Sequence, residues 1–271
     1  MKKFFNPWNT VLFLGIFFLT GGCSKSGDSI PLTIFTVDND ISLGLEIDQE
    51  IMSKPTEYPV LDSLQYKAAY GHLYEIRNTI LSSGKLQYAT KFKWRCRIIH
   101  KDSVINAFCV PGGNIYIYTG IIKFLDNEAE FAGVLGHEMA HADRRHTSQQ
   151  LTLVYGESLL LSLILGNDPS QLTQIIASLA QGLGNLAYSR DHEYEADSYA
   201  VKYLYPTKYD AAAIGDFFVK IGSQPTPPAF LSDHPSPADR LTKITEMFNS
   251  LGGVHGQIFA AEYQQFKTTL P

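Results

Sequence analysis

Apolar and polar positions divide the chain into helical stretches around a short strand-rich segment. Over residues 62–81, Leu64, Ala68, Leu73, Ile76 and Ile80 recur at the spacing of a helix with one buried face. Residues 92–100 and 104–109 read as two strands, and a two-residue turn at Asp102-Ser103 would join them as an antiparallel hairpin. Pro111-Gly112-Gly113 is a turn; after it Ile115 and Ile117 alternate with Tyr116 and Tyr118 in a strand over 114–119. Asn127, with Glu130 three residues on, has the pattern of a capping box opening a helix through Phe131, Val134, Leu135 and His141. Two apolar stretches follow, 151–165 and 172–186, each too short to cross a bilayer and expected to pair as buried helices. Ser189 or Asp191 can cap a helix carrying Glu193, Ala196, Asp197, Ala200, Val201 and Leu204, and another covers about 211–222. The Pro-rich run 224–237 reads as a loop, with Ser236-Pro237 opening a last helix. The fold class expected is α+β: mostly helical, with a small antiparallel sheet beside the helix of His137.

The start of the chain has another character. Lys2 and Lys3 precede an apolar stretch, 11–19, in the order of an export signal. Thr20-Gly21-Gly22-Cys23 resembles a bacterial lipobox, with Leu19 one place further upstream than that pattern has it. The reading is a signal peptide over 1–22, a tether lipid-anchored through Cys23 and an irregular segment over 23–60, and a folded domain over 61–271. The location expected is the bacterial cell envelope, facing the periplasm and held to a membrane by lipid.

With 45% hydrophobic and 18% charged residues, the 271-residue chain has enough apolar content for one full core. A net charge of -5 and the lack of a basic stripe argue against nucleic acid as a partner. Export would place Cys96 and Cys109 in an oxidising compartment. In the hairpin register above, paired positions sum to 205, which sets these two cysteines opposite each other and predicts a disulfide. Two buried free thiols are the alternative.

The chemistry concentrates in His137-Glu138-Met139-Ala140-His141, an HExxH motif inside a helical segment. Residues four apart share a helix face, so both imidazoles can bind one zinc ion while Glu138 sits beside the metal's water. Gly133, one turn earlier, leaves room for another element to approach. A catalytic zinc site needs a third protein ligand and an open position. Arg144 and Thr147 stand where a metzincin has glycine and histidine, so the third ligand is expected to be a carboxylate on another helix. Glu193 and Asp197 share a face there. Glu193 can ligate, and Asp197 can accept a hydrogen bond from a ligating histidine and fix its orientation. Glu195 points elsewhere on that helix and is expected in solvent; His72, His100, His146, His192 and His255 are expected at the surface or in local hydrogen bonds.

Several stretches together resemble the gluzincin metalloendopeptidases of peptidase family M48, which includes HtpX, the CAAX prenyl proteases and periplasmic proteases. They are Asn106-Ala107-Phe108 through Pro111-Gly112-Gly113, the HExxH motif with Arg145-His146 after it, Ser189-Arg190 through Glu193 to Asp197, and His234-Pro235 ahead of Arg240. The resemblance spans about 61–250 and implies His137, His141 and Glu193 as zinc ligands, Glu138 as catalytic base and Asp197 behind a ligand. It implies one zinc per chain and cleavage of unfolded or misassembled envelope polypeptides. The transmembrane helices of some members and the tetratricopeptide repeats of others have no counterpart in the sequence, so the expected plan is the lipid-anchored periplasmic one. Substrate is expected to lie extended against the strand Asn114, Ile115, Tyr116, Ile117 and Tyr118, with plain packing of the tyrosines as the rival reading. His234 is expected to reach the site, either closing it as a gate or donating to the transition-state oxyanion. Arg240 either supports that oxyanion or pairs with a carboxylate. The alternative from another class is a lipid-anchored, zinc-stabilised chaperone without turnover.

Overall fold

The structure, a computed structural model, describes residues 35–181, 187–235 and 239–271. The expected signal peptide, Cys23 and the tether lie outside the described residues, as do 182–186 of the second apolar stretch and Ser236-Pro237. The first described element is a helix, α1 (Val37–Met52), where the sequence reading expected an irregular segment. Thr36 and Asn39 cap it reciprocally, and Leu43, Ile47 and Ile51 form its buried stripe. It belongs to the same packed unit, 31–271, as the rest of the domain.

After α2 (Lys67–Leu81), the chain makes three short strands: β1 (Arg95–Ile99), β2 (Ala107–Val110) and β3 (Asn114–Tyr118). Their order is β1-β3-β2. β3 pairs in parallel with β1 and antiparallel with β2. The expected β1–β2 hairpin is therefore wrong, and the sheet is mixed. Cys96 and Cys109 both pair with Ile115, one from each side of β3. Two strand spacings, about 10 Å, separate them, beyond the roughly 7 Å between Cα atoms that a disulfide tolerates. Both are free, buried thiols, so the disulfide expectation is corrected.

The substrate-strand expectation fails for the same reason. β3 is central, its hydrogen-bonding groups committed on both edges, so no extended peptide can add to Asn114–Tyr118. Its tyrosines pack instead: Phe108 stacks on Tyr116 with ring centroids 4.8 Å apart. Both faces of the sheet are covered, which is why its strands are apolar nearly throughout. Cys96, Cys109, Ile115 and Ile117 face the core built on the HExxH helix; Phe108, Val110, Tyr116 and Tyr118 face α1 and the helices after residue 156.

α3 (Thr119–Phe124) leads to α4 (Glu128–Asp143), the HExxH helix, capped by Asn127 on the Glu130 amide at 2.9 Å. α4 is buried along its entire length. At Gly133 an added Cβ would come within 2.8 Å of Ile214 in α9 (Ala213–Gly222), so the expected approach of another element occurs there. The first apolar stretch is not one buried helix. Gly156, at φ 77°, breaks it into α5 (His146–Tyr155) and α6 (Glu157–Ile164). Leu160 and Leu163 are buried, while Leu153 and Leu165 are exposed. α7 (Pro169–Gln181) follows, then α8 (Arg190–Leu204), capped by Ser189 on the His192 amide. α8 packs along α4, with Ala200 against Gly136. The Pro-rich run holds a short helix, α10 (Ala229–Asp233), before α11 (Arg240–Ser250) and α12 (Ala260–Thr268).

Candidate active site

α4 presents His137 and His141 on one face, and α8 brings Glu193 to meet them. The end of α10 adds His234. One ligand atom from each of these four buried residues lies within 4.8 Å of all the others. Nε2 of His137 is 3.0 Å from Nε2 of His141, 3.2 Å from Nδ1 of His234 and 3.5 Å from Oε2 of Glu193. Oε1 of Glu193 is 3.4 Å from Nε2 of His141 and 3.2 Å from Nδ1 of His234. A tetrahedral ion with ligand bonds of about 2.0–2.1 Å has edges of about 3.3 Å. The observed edges, measured to one or the other oxygen of Glu193, straddle that value, so the spacing of these residues suits a dication.

Glu138, next to His137, is fully buried, and neither of its oxygens has a hydrogen-bond donor among the described residues. His234 Nε2 approaches its Oε1 at 3.3 Å. Burial pushes the Glu138 carboxyl up to about 8. Burial alone would lower His137, yet the Asp197 and Glu193 carboxylates outweigh it and raise the metal-free imidazole to about 9. Burial and the neighbouring His137 hold His141 well below its usual value. Glu193, which burial would raise, is kept well below the carboxylate range by Arg240 and the surrounding histidines.

Asp197 stands behind His137, its Oδ1 2.9 Å from Nδ1. Arg240 clamps both Asp197 oxygens at 2.7 Å and reaches Oε2 of Glu193 at 2.8 Å. Its third nitrogen also donates to the Pro235 carbonyl at 3.2 Å. The guanidinium is committed to carboxylates and packed on Phe218, the pairing alternative rather than a free oxyanion donor. His234 stacks on Phe230, centroids 4.3 Å apart, within the same buried pocket.

Three participants escaped the sequence reading. Tyr188 stacks on His141 with centroids 3.8 Å apart; its hydroxyl meets Thr147 at 2.7 Å and its amide donates to the Asp233 carbonyl. His146, expected at the surface or in a local bond, is buried with Nδ1 3.0 Å from Nδ1 of His141. Glu195, expected in solvent, pairs with His146 at 3.1 Å and Arg144 at 2.7 Å. A continuous helix would carry His146 away from the metal face, but Arg145 takes a left-handed φ of 62° and turns the chain back. Only the Arg-His pair after the motif signalled this.

The description of Peptidase family M48 matches residues 72–248, well over half of the chain. The beta-barrel assembly-enhancing proteases of Escherichia coli and Yersinia pestis are each 30% identical over 169 residues, 57% of this chain and 34% of theirs. The mitochondrial metalloendopeptidase OMA1 of Schizosaccharomyces pombe is 31% identical over 160 residues, 57% of this chain and 46% of that one. The chain thus spans about a third of the length of the bacterial relatives. The matched residues contain the whole set gathered around His137, and the chain belongs to peptidase family M48, with the domain of a metalloendopeptidase.

Proposed function

We propose that the chain is a zinc-dependent endopeptidase acting on unfolded or misassembled polypeptides of the bacterial cell envelope, held to a membrane by lipid on Cys23. One observation carries the catalytic part: the buried, donor-free Glu138 carboxylate lies beside the clustered ligand atoms of His137, His141 and Glu193. A carboxylate left without a donor in a protein interior costs free energy, and a catalytic task is a reason to retain it. Zinc bound there would supply Lewis acidity, lowering the pKa of a water and polarising a peptide carbonyl. Glu138 would accept a proton from the attacking water and pass it to the leaving amine. The substrate and the location rest on the likeness to the bacterial beta-barrel assembly-enhancing proteases and on the export and lipobox pattern at the start of the sequence.

A second reading has its own observation. His234 supplies a fourth protein ligand, and four protein ligands are what a structural zinc site has. A zinc-stabilised chaperone without turnover would use such a site. Glu138→Gln separates the two: the endopeptidase keeps its zinc and loses casein cleavage by several orders of magnitude. No cleavage by the wild type under any condition would favour the second reading, whereas undiminished cleavage by the variant would point to a different active site or a contaminating protease.

A further inference from the structure

We propose that His146 and Glu195 are positioning residues for the metal site, holding His141 as Asp197 holds His137. This rests on the assignment of His137, His141 and Glu193 as ligands. Nε2 of His141 faces the other ligand atoms, so a ring bound through it carries its proton on Nδ1. That proton points at Nδ1 of His146, 3.0 Å away. His146 must then accept at Nδ1 and carry its own proton on Nε2, which meets Oε2 of Glu195 at 3.1 Å. The other tautomer of His146 would set two N–H groups against each other. The series ends on a carboxylate that only accepts, and Arg144 fixes that carboxylate through Oε1 at 2.7 Å.

The surroundings fix the planes of these rings. His192 stacks on His146 with centroids 4.4 Å apart and planes 15° from parallel, and its Nε2 donates to Gln149 Oε1 at 3.0 Å. Tyr188 covers the face of His141. On α8, Glu195 lies two residues from Glu193, about 200° around the helix, and cannot reach the ion itself. It acts through His146, which the left-handed Arg145 carries into line. All three acids of the Glu193-Tyr194-Glu195-Ala196-Asp197 turn thereby serve one site: one as ligand, one behind each histidine.

The test compares His146→Leu, His146→Asn and Glu195→Ala in the full chain. The readouts are zinc release to a chelator, the absorption spectrum of the cobalt-substituted protein, and melting of the metal-free form. His146→Leu should release zinc about 10–100-fold faster and shift the cobalt spectrum. His146→Asn, which keeps an acceptor towards His141, should recover most of both, with Glu195→Ala between them. Metal-free melting should stay near wild type in the Asn and Ala variants. Wild-type release rates in His146→Leu and Glu195→Ala would overturn the proposal, as would zinc loss that only tracks lowered metal-free stability. If His146→Leu does not fold, Glu195→Ala, altering a partly exposed side chain, decides alone. His141→Ala run in parallel separates the two levels: zinc retained there would remove the ligand assignment itself, and the proposal with it.

Discussion

His234 sits at the fourth corner of the ligand set, stacked on Phe230 and 3.2 Å from both His137 and Glu193. In that position it takes the place a water would need, which favours the gating role over oxyanion donation. His234→Ala is expected to raise basal casein cleavage by about tenfold if the open form is a ~10% minority. A fall on the order of a hundredfold would assign the ring to the oxyanion instead. The clustering of His137, His141 and Glu193 was legible because HExxH and Glu193-to-Asp197 are spacings of four on helices whose caps, Asn127 and Ser189, are also written in the sequence. His146 was not, because one left-handed residue, Arg145, invalidates the wheel on which its direction was read.

At the level of elements, α1 is tied to the sheet by a buried polar knot. Arg97 on β1 grips both oxygens of Asp48 at 2.6 and 2.7 Å, and Tyr116 on β3 donates to the same carboxylate at 2.6 Å. Burial alone would raise the Asp48 carboxyl, but the Arg97 fork and the Tyr116 hydroxyl outweigh it and hold it below the usual range. Arg97→Leu strands a buried carboxylate and should cost about 3 kcal/mol, the low end for such a pair because Arg97 keeps some exposure. Adding Asp48→Leu should recover part of that loss. Since the folded pKa is depressed, this share of stability is present above about pH 4 and fades as the pH falls further. Urea unfolding at pH 6 and pH 3 should show a smaller acid loss for Asp48→Asn than for wild type. The helix that makes this knot lies in a stretch read as irregular, although its Leu43, Ile47, Ile51 stripe is written in the sequence. Sheet order was illegible for a different reason: adjacent strands invite a hairpin, while β1 chooses the more distant β3, a pairing that no local pattern encodes.

For the whole molecule, the metal should matter to stability without being needed for the fold. The main core on α2, α4, α8 and α9 is apolar and continuous without it. Zinc at a thousandfold excess over its Kd adds about 4 kcal/mol, which for a domain of this size corresponds to a melting shift of roughly 10 °C. Chelation should therefore lower the melting temperature by that order while leaving helical circular dichroism at 25 °C unchanged. An identical melting curve with and without chelator would argue against any metal in this site. Among the described residues no helix is long and apolar enough to cross a membrane.

The buried acids and Arg240 also set an electrical condition. Glu138, Glu193 and Asp197, ionised, bring three negative charges into a buried pocket, and Arg240 returns one. The remainder is two, the charge of a zinc ion, so a dication makes the pocket neutral. Without the ion, protons must make up the difference, and the raised values of His137 and Glu138 mark where they go. Loading the site with a dication should therefore displace protons. Calorimetry in buffers of different ionisation enthalpy would count them, and the apparent affinity should weaken steeply as the solution is acidified.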